Sequence, residues 1–316
     1  MSHPAPAPST QRITVVGDAL IDELRDPQGS REFVGGAALN VAVGLALLGQ
    51  DVTLVAMLGD DEAAQHIRSY LDDFGVRLVE SPSALGTSRA ISDRTDGEPR
   101  YEFNEAAQHR SIRFDDATRA ALDEADLVVV SCFPFDNAAQ YAELVDAIAR
   151  PEERVIVDGN PRAGMLADRA AFLENFEDFA SRSLLAKVGD EDAELLLGDS
   201  LDAFVARLGR DPVADDAPGF GPAILATAGR EGATIHDGRL VVHADIVELS
   251  GPVVDTMGAG DATLSAIVQH IAERGLPQTT IAWETALREA MTIAAATVRH
   301  EGALLRKPAH DPVYPS

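Results

Sequence analysis

Hydrophobic and polar positions follow two rhythms along this chain: short continuous apolar runs, and stretches spaced by three and four. ITVVGD at 13–18 is an apolar run closing on Gly-Asp, the pattern of a buried strand. From Ala37 to Leu48 small and apolar residues dominate, and Gly49 stands where a helix is expected to stop. VTLVAML at 52–58 predicts the next strand and 60–73 the next helix. Further strands are predicted at 127–131, 154–158, 184–188 and 223–228, with helical spacing between them and again over 280–299. Such alternation predicts an α/β fold, a mostly parallel central sheet with helices on both faces.

Two segments leave the rhythm. Residues 19–35 and 86–104 are turn-rich and partly alternating, with TSRAIS and RYEFN on either side of Thr95-Asp96-Gly97. They are expected to form a small discontinuous β lid over the main domain. Asp237-Gly238, between ATIH and RLVVH, predicts a hairpin turn. Residues 210–222 read as a surface loop, and the Pro/Ala-rich residues 1–11 as a flexible tail before one domain spanning 12–310.

Composition narrows the function classes. A formal net charge of −26 repels nucleic acid and anionic membranes, so neither is expected as a partner. No apolar run reaches the length of a membrane span and the start lacks signal-peptide features, so a cytoplasmic protein is expected. Cys132, the only cysteine, follows the run LVVV and reads as a buried small hydrophobe. The eight histidines lack the spacing of zinc ligands.

Candidate chemistry concentrates in Asp255-Thr256-Met257-Gly258-Ala259-Gly260-Asp261. Leu264, Ile267, Val268 and Ile271 recur behind it with helical period, so these small residues open a helix. The first N–H groups of a helix have no intrahelical partner, and with the positive dipole end they suit an anion, phosphate above all. A carboxylate in the same turn would repel a resting phosphate, which argues that Asp261 takes a proton from a hydroxyl as it attacks phosphorus. The plain alternative is an acidic residue that only favours the helix dipole.

Other candidates fall at the carboxyl ends of strands, where open α/β sheets bind ligands: Asp18, Asp158 with Asn160, Lys187, and Thr227 with Gly229. Gly35-Gly36 would let the backbone approach a ligand, and Asn40 offers both donor and acceptor to a sugar hydroxyl; a glycine hinge before a polar first turn fits equally. Asp18 is an acceptor for adjacent hydroxyls, whereas Asp22 reads as a solvated strand end. Thr227 to Gly232 either holds a nucleotide or is simply a loop. No Walker-type loop, protein-kinase signature or dinucleotide G-x-G-x-x-G is present.

Two separated stretches, GGAALNVAVGLALLGQDVTLVAMLGDD and DTMGAGDATLSAI, resemble in order the two signatures of the ribokinase-like (PfkB) carbohydrate kinases. The resemblance implies ATP-dependent phosphorylation of a sugar hydroxyl with Mg2+, under a lid that also makes a homodimer contact. It implies Asp261 as general base, with Gly258, Ala259 and Gly260 as anion hole. It places Asp18, Gly35, Gly36 and Asn40 on the sugar, and Lys187, Thr227, Gly229 and Gly232 on the nucleotide. Asp255 and carbonyls near 294–302 match the region where many relatives bind a monovalent cation such as K+. One departure stands out: where relatives often carry Asn-x-x-Glu, this chain has Gly189-Asp190-Glu191-Asp192, leaving Asp192, Glu191 or Glu194 for the magnesium role. Asp158-Gly159-Asn160-Pro161-Arg162 resembles the D-x-N-x-R stretch of fructokinase-like members, with Arg162 placed to steer a sugar oxygen or a phosphate. Phosphosugar kinases of the family commonly have Lys where this chain has Ala37, so a non-phosphorylated sugar is expected, fructose first, then ribose or 2-keto-3-deoxygluconate. A nucleoside kinase of the same fold and a catalytically inactive sugar sensor are the alternatives.

Overall fold

The structure is a computed structural model that describes residues 10–26, 29–93, 100–209, 221–238 and 240–308. The first elements are β1 (Arg12–Gly17), β2 (Leu20–Asp26), β3 (Gly29–Gly35), α1 (Ala37–Leu47), β4 (Asp51–Leu58) and α2 (Glu62–Asp73). Next come β5 (Arg77–Pro82), β6 (Ser88–Asp93), β7 (Arg100–Phe103), α3 (Glu105–Gln108), α4 (Asp116–Glu124), β8 (Leu127–Ser131) and α5 (Ala138–Ala147). The second half carries α6 (Pro151–Arg154), β9 (Val155–Asp158), α7 (Arg169–Ser181), β10 (Leu185–Gly189), α8 (Asp190–Leu197) and α9 (Leu201–Leu208). Last are β11 (Ala223–Thr227), the hairpin of β12 (Ala233–Asp237) and β13 (Leu240–Ala244), then α10 (Ala259–Arg274) and α11 (Thr280–Thr297).

Nine strands form the main sheet in the order β13-β12-β11-β10-β9-β8-β1-β4-β5. Pairing is parallel from β5 through β11 and antiparallel only where β12 and β13 add an edge. The strands are continuous apolar runs because both of their faces are buried. Val15, Val129, Ile156 and Leu185 pack beneath α1, α2, α10 and α11. Their neighbours Val16, Val128, Val130, Val157 and Ala186 pack on the other face, under α4, α5, α7, α8 and α9. On that side Phe135 stands among Phe133, Phe172, Phe176 and Phe179, with ring centroids 5.3–5.8 Å apart. On the first side Trp283 of α11 is fully buried, and its indole N–H donates to Asp237 Oδ2 at 3.0 Å.

Register fixes what the sheet presents at its carboxyl edge. Gly17, Ser131, Asp158 and Lys187 occupy one row across β1, β8, β9 and β10. Because side chains alternate, Ser131, Asp158 and Lys187 face the side of α1 and α10, like the apolar residues two positions earlier. Gly17 can only be glycine in this row, since a Cβ there would lie 1.8 Å from the Ser131 carbonyl oxygen.

Four strands make a second sheet in the order β3-β2-β6-β7, two antiparallel hairpins joined by parallel pairing of β2 with β6. Its strands fall within the segments that broke the helical rhythm. Several boundaries differ from expectation for local reasons. Arg154 belongs to α6, its buried guanidinium donating to the carbonyls of Leu122 and Ala125, so β9 begins one residue later than predicted. Asp237 pairs with Leu240 as the last residue of β12, which moves the turn one residue onward to Gly238, at φ 58°. Gln11 is already tied to the fold, its N–H donating to Gln50 Oε1. Residues 1–9, the Thr95-Asp96-Gly97 turn and most of the 210–222 loop lie outside the described residues. Among the described residues, no helix is long and apolar enough to cross a membrane.

Candidate active site

Helix α10 opens on Gly258, whose φ of 76° is in the left-handed region and whose missing Cβ lets the turn lie against Ala303, 2.6 Å from where that atom would meet the carbonyl oxygen. Among the described residues, the N–H groups of Gly258, Gly260 and Asp261 have no protein acceptor. The Ala259 N–H is partly engaged, in a 3.3 Å turn bond to the Thr256 carbonyl, so the open donors are Gly258, Gly260 and Asp261 rather than the expected Gly258-Ala259-Gly260 set. Asp255 shapes the turn: its two carboxylate oxygens accept from the N–H groups of Met257 and Gly302.

Asp261 lies in the first turn of α10, and Asn40 on α1 donates to its Oδ2 at 2.9 Å. Burial raises the Asp261 pKa to about 6; the Asn40 hydrogen bond works the other way, the Asp158 charge adds to the rise, and Lys187 and Arg162 oppose it. Lys187 is buried and donates to Asp158 Oδ1 at 3.1 Å. A Cβ at Gly260 would lie 3.6 Å from Lys187 Nζ, which brings the ammonium against the leading turn of α10. Arg162 faces Asp18, Asp192 and Asp261, keeps a side chain 44% exposed, and meets Glu191 only loosely at 3.8 Å.

Asp18 does two things. Its Oδ1 accepts the Ala38 N–H at 2.9 Å, capping α1 where the N-cap Gly36 has no side chain to do so. Burial raises its pKa, against the Ala38 hydrogen bond and the charges of Arg110 and Arg162. Gly36, at φ 108°, lies against Asp18 and Ala19, and Gly35 leaves room for Asp22, whose Oδ2 would be 2.1 Å from a Cβ. Asp22 is therefore not a solvated strand end. It lies mid-strand in β2, its carboxyl raised to about 7 by burial and by the charges of Asp18, Asp261 and Asp255. The second sheet thus sets a carboxylate above the edge of the first.

Thr227, Gly229 and Gly232 lie one strand further. Thr227 pairs with Gly189 and its hydroxyl lies against the Val188 carbonyl at 3.4 Å. A bond from the Ala228 N–H to the Gly232 carbonyl closes the loop, and Gly232 packs so tightly on β13 that a Cβ would be 2.1 Å from the Ala244 carbonyl oxygen. Of the three acidic residues considered for magnesium, Glu191 and Glu194 are exposed and Asp192 is buried. Asp192 Oδ2 accepts the Gly189 N–H at 2.8 Å, and burial raises its pKa against the pull of Lys187. Among the described residues no group of three or more His, Cys, Asp or Glu could hold a metal by itself. A magnesium ion carried by phosphates needs only one or two carboxylates, and Asp192, whose second oxygen accepts no hydrogen bond among the described residues, fits that use.

One further residue, Arg110, carried no sequence signal, whereas Cys132 is the buried small hydrophobe that its apolar run predicts. Arg110 is buried, donating to the carbonyls of Cys132 and Met165 at 3.2 Å beside Asp18. Cys132 follows β8 in the left-handed region at φ 52°, and burial pushes its thiol pKa up, which suits an inert side chain.

Residues 10–309 match the pfkB family carbohydrate kinase. The chain is 27% identical to a fructokinase of Klebsiella pneumoniae, over 95% of this chain and 97% of that protein. A fructokinase double mutant from Vibrio cholerae O395, solved with fructose, ADP and potassium ion, superposes with a TM-score of 0.73 at 18% identity, covering 94% of this chain and 95% of that one. Aminoimidazole riboside kinase from Salmonella enterica, solved with aminoimidazole riboside and an ATP analog, gives a TM-score of 0.67 at 21% identity, covering 93% and 95%.

Proposed function

This chain belongs to the pfkB family of carbohydrate kinases, and from that premise we propose that it moves the γ-phosphoryl group of ATP to a hydroxyl of an uncharged sugar, with fructose the first candidate. The observation that carries this reading is the meeting of Asp261, held by Asn40, with open N–H groups at the start of α10. A sugar hydroxyl is a poor nucleophile, and a carboxylate within hydrogen-bond reach takes its proton as the bond to phosphorus forms. Charge on the moving phosphoryl group meets the fixed donors of Gly258, Gly260 and Asp261 together with the Lys187 ammonium, with little reorganisation.

On the sugar side, Asp18, Asp22 and Asn40 would accept and donate hydrogen bonds, with Gly35 and Gly36 letting the ring approach the backbone. The second sheet would act as a lid that keeps water from the phosphoryl acceptor site, and its outer face as a homodimer contact. The loop with Thr227, Gly229 and Gly232 would lie along the nucleotide. Asp192 would hold magnesium, which supplies charge compensation to the phosphates; Asp255 and the carbonyls near 294–302 would hold a potassium ion. A sugar acid such as 2-keto-3-deoxygluconate is the second reading, favoured by Arg162, a cation beside Asp18 whose ion pair among the described residues is a loose 3.8 Å contact with Glu191.

ATP consumption by the purified protein across fructose, ribose, 2-keto-3-deoxygluconate, adenosine and other nucleosides tests this. Fructose is expected to give the highest kcat/KM. Preference for the sugar acid would establish the second reading, turnover of nucleosides alone would replace both, and no turnover with any acceptor would leave a sugar sensor.

A further inference from the structure

Among the described residues Asp158 makes a single side-chain hydrogen bond. Its Oδ1 accepts from Lys187 Nζ at 3.1 Å, and its Oδ2 has no partner among the described residues. The carboxylate is fully buried, yet it caps no helix and braces no turn. β9 and β10 set the two residues side by side in the row at the carboxyl edge, on the face toward α1 and α10. Stability does not explain such a pair, because two charges withdrawn from water seldom do better than apolar side chains of the same volume. Location does: the ammonium at the end of this contact lies against Gly260, in the turn whose N–H groups stand open.

The geometry points to Asp158 as a positioning residue for phosphoryl transfer, one that acts through Lys187 by holding its ammonium toward the phosphate received at the leading turn of α10. The inference rests on the kinase reading above. An ammonium has three N–H donors, so one stays on Asp158 while the others turn to phosphate oxygens. Three carboxylates face the ammonium: Asp158 from β9, Asp192 from α8 and Asp261 from α10. Arg162, in the loop after β9, faces the last two. Without Asp158, the flexible stem is free to swing the ammonium onto Asp261, where it neutralises the base instead of the phosphate.

Steady-state kinetics of the wild type, Asp158→Asn, Lys187→Met and the double variant test this. Asp158→Asn is expected to lower kcat by about 10²-fold, the scale of a misplaced catalytic group. Sugar KM should stay within about twofold, since ground-state binding is untouched. In the Lys187→Met background, Asp158→Asn should cost nothing further in kcat, because a group that acts through Lys187 has nothing left to position. The double variant leaves neither charge buried alone and so provides a folded reference. The pH profile gives an independent readout. Asp158 raises the pKa of Asp261 and a released Lys187 ammonium lowers it, so Asp158→Asn moves the acid limb of the kcat profile to lower pH. Additive losses in the double variant, or a wild-type kcat and profile in Asp158→Asn, would overturn the inference while sparing the kinase reading. A wild-type protein that uses no ATP with any sugar would overturn both.

Discussion

Asp261 has to be ionised to accept a proton, yet it is held where charge is poorly solvated. With a pKa raised to about 6, first by burial, it is still deprotonated at neutral pH while being a stronger base than a free aspartate. Turnover is therefore expected to fall as pH drops through 6, and Asp261→Ala to lose on the order of 10²-fold or more in kcat with its circular dichroism unchanged. Asp22 yields a stability prediction with a definite sign. Its carboxyl is raised from 3.8 to about 7 in the folded protein, so the folded state favours the protonated form. The contribution to stability is full below the unfolded value and is lost as pH rises through 7. Asp22→Asn should then raise Tm at pH 8 and far less at pH 4; equal shifts at both would show that Asp22 is not desolvated. The local geometry around Asp261 is legible in sequence, because the glycine turn and the helical period behind it lie in one short segment. Asp22 is harder to read. LIDELRD alternates, which groups Asp22 with Leu20 and Leu24, but which face of that strand covers the site is decided by how the second sheet sits. Arg110 is less legible still, since its carbonyl partners come from three separate segments.

At the level of elements, the leading turn of α10 separates backbone demands from chemical ones. Gly258→Ala must place a Cβ at positive φ and 2.6 Å from the Ala303 carbonyl oxygen, so it is expected to cost roughly 1–3 kcal/mol and to lower Tm and turnover together. Gly260 is in ordinary helical geometry, and a Cβ there meets only Lys187 at 3.6 Å. Gly260→Ala should keep Tm while raising KM for ATP, because the methyl group stands where a phosphate would approach. Thermal melts paired with ATP titrations distinguish the two. Sequence periodicity places most elements within a residue or two, since strands buried on both faces and amphipathic helices have different rhythms. It misplaces those ends decided by partners elsewhere: β9 yields Arg154 to a helix because two distant carbonyls need its guanidinium, and β12 keeps Asp237 because Leu240 pairs with it.

For the molecule as a whole, 52 acidic residues against 26 basic ones leave a surplus that the ion pairs do not cancel. Self-repulsion of that kind acts over roughly 10 Å at 0.1 M salt and shrinks to about 3 Å at 1 M. Tm is expected to rise across that range of sodium chloride, and a flat or falling curve would show that the surface charge is balanced locally. The layered fold is legible from alternation alone, and the second sheet from where that alternation stops. Strand order is not legible, because β1 lies inside the sheet and β5 at its edge through pairings between segments far apart in sequence. Trp283, the single tryptophan, has a consequence for any solution study. Its indole bonds to Asp237, and β12 runs antiparallel to β11, so the ring lies at the margin opposite the row of Ser131, Asp158 and Lys187. Intrinsic fluorescence will consequently be a private reporter of how α11 docks on the β12–β13 wing. It should redden when denaturant strips that wing and stay silent when a sugar arrives.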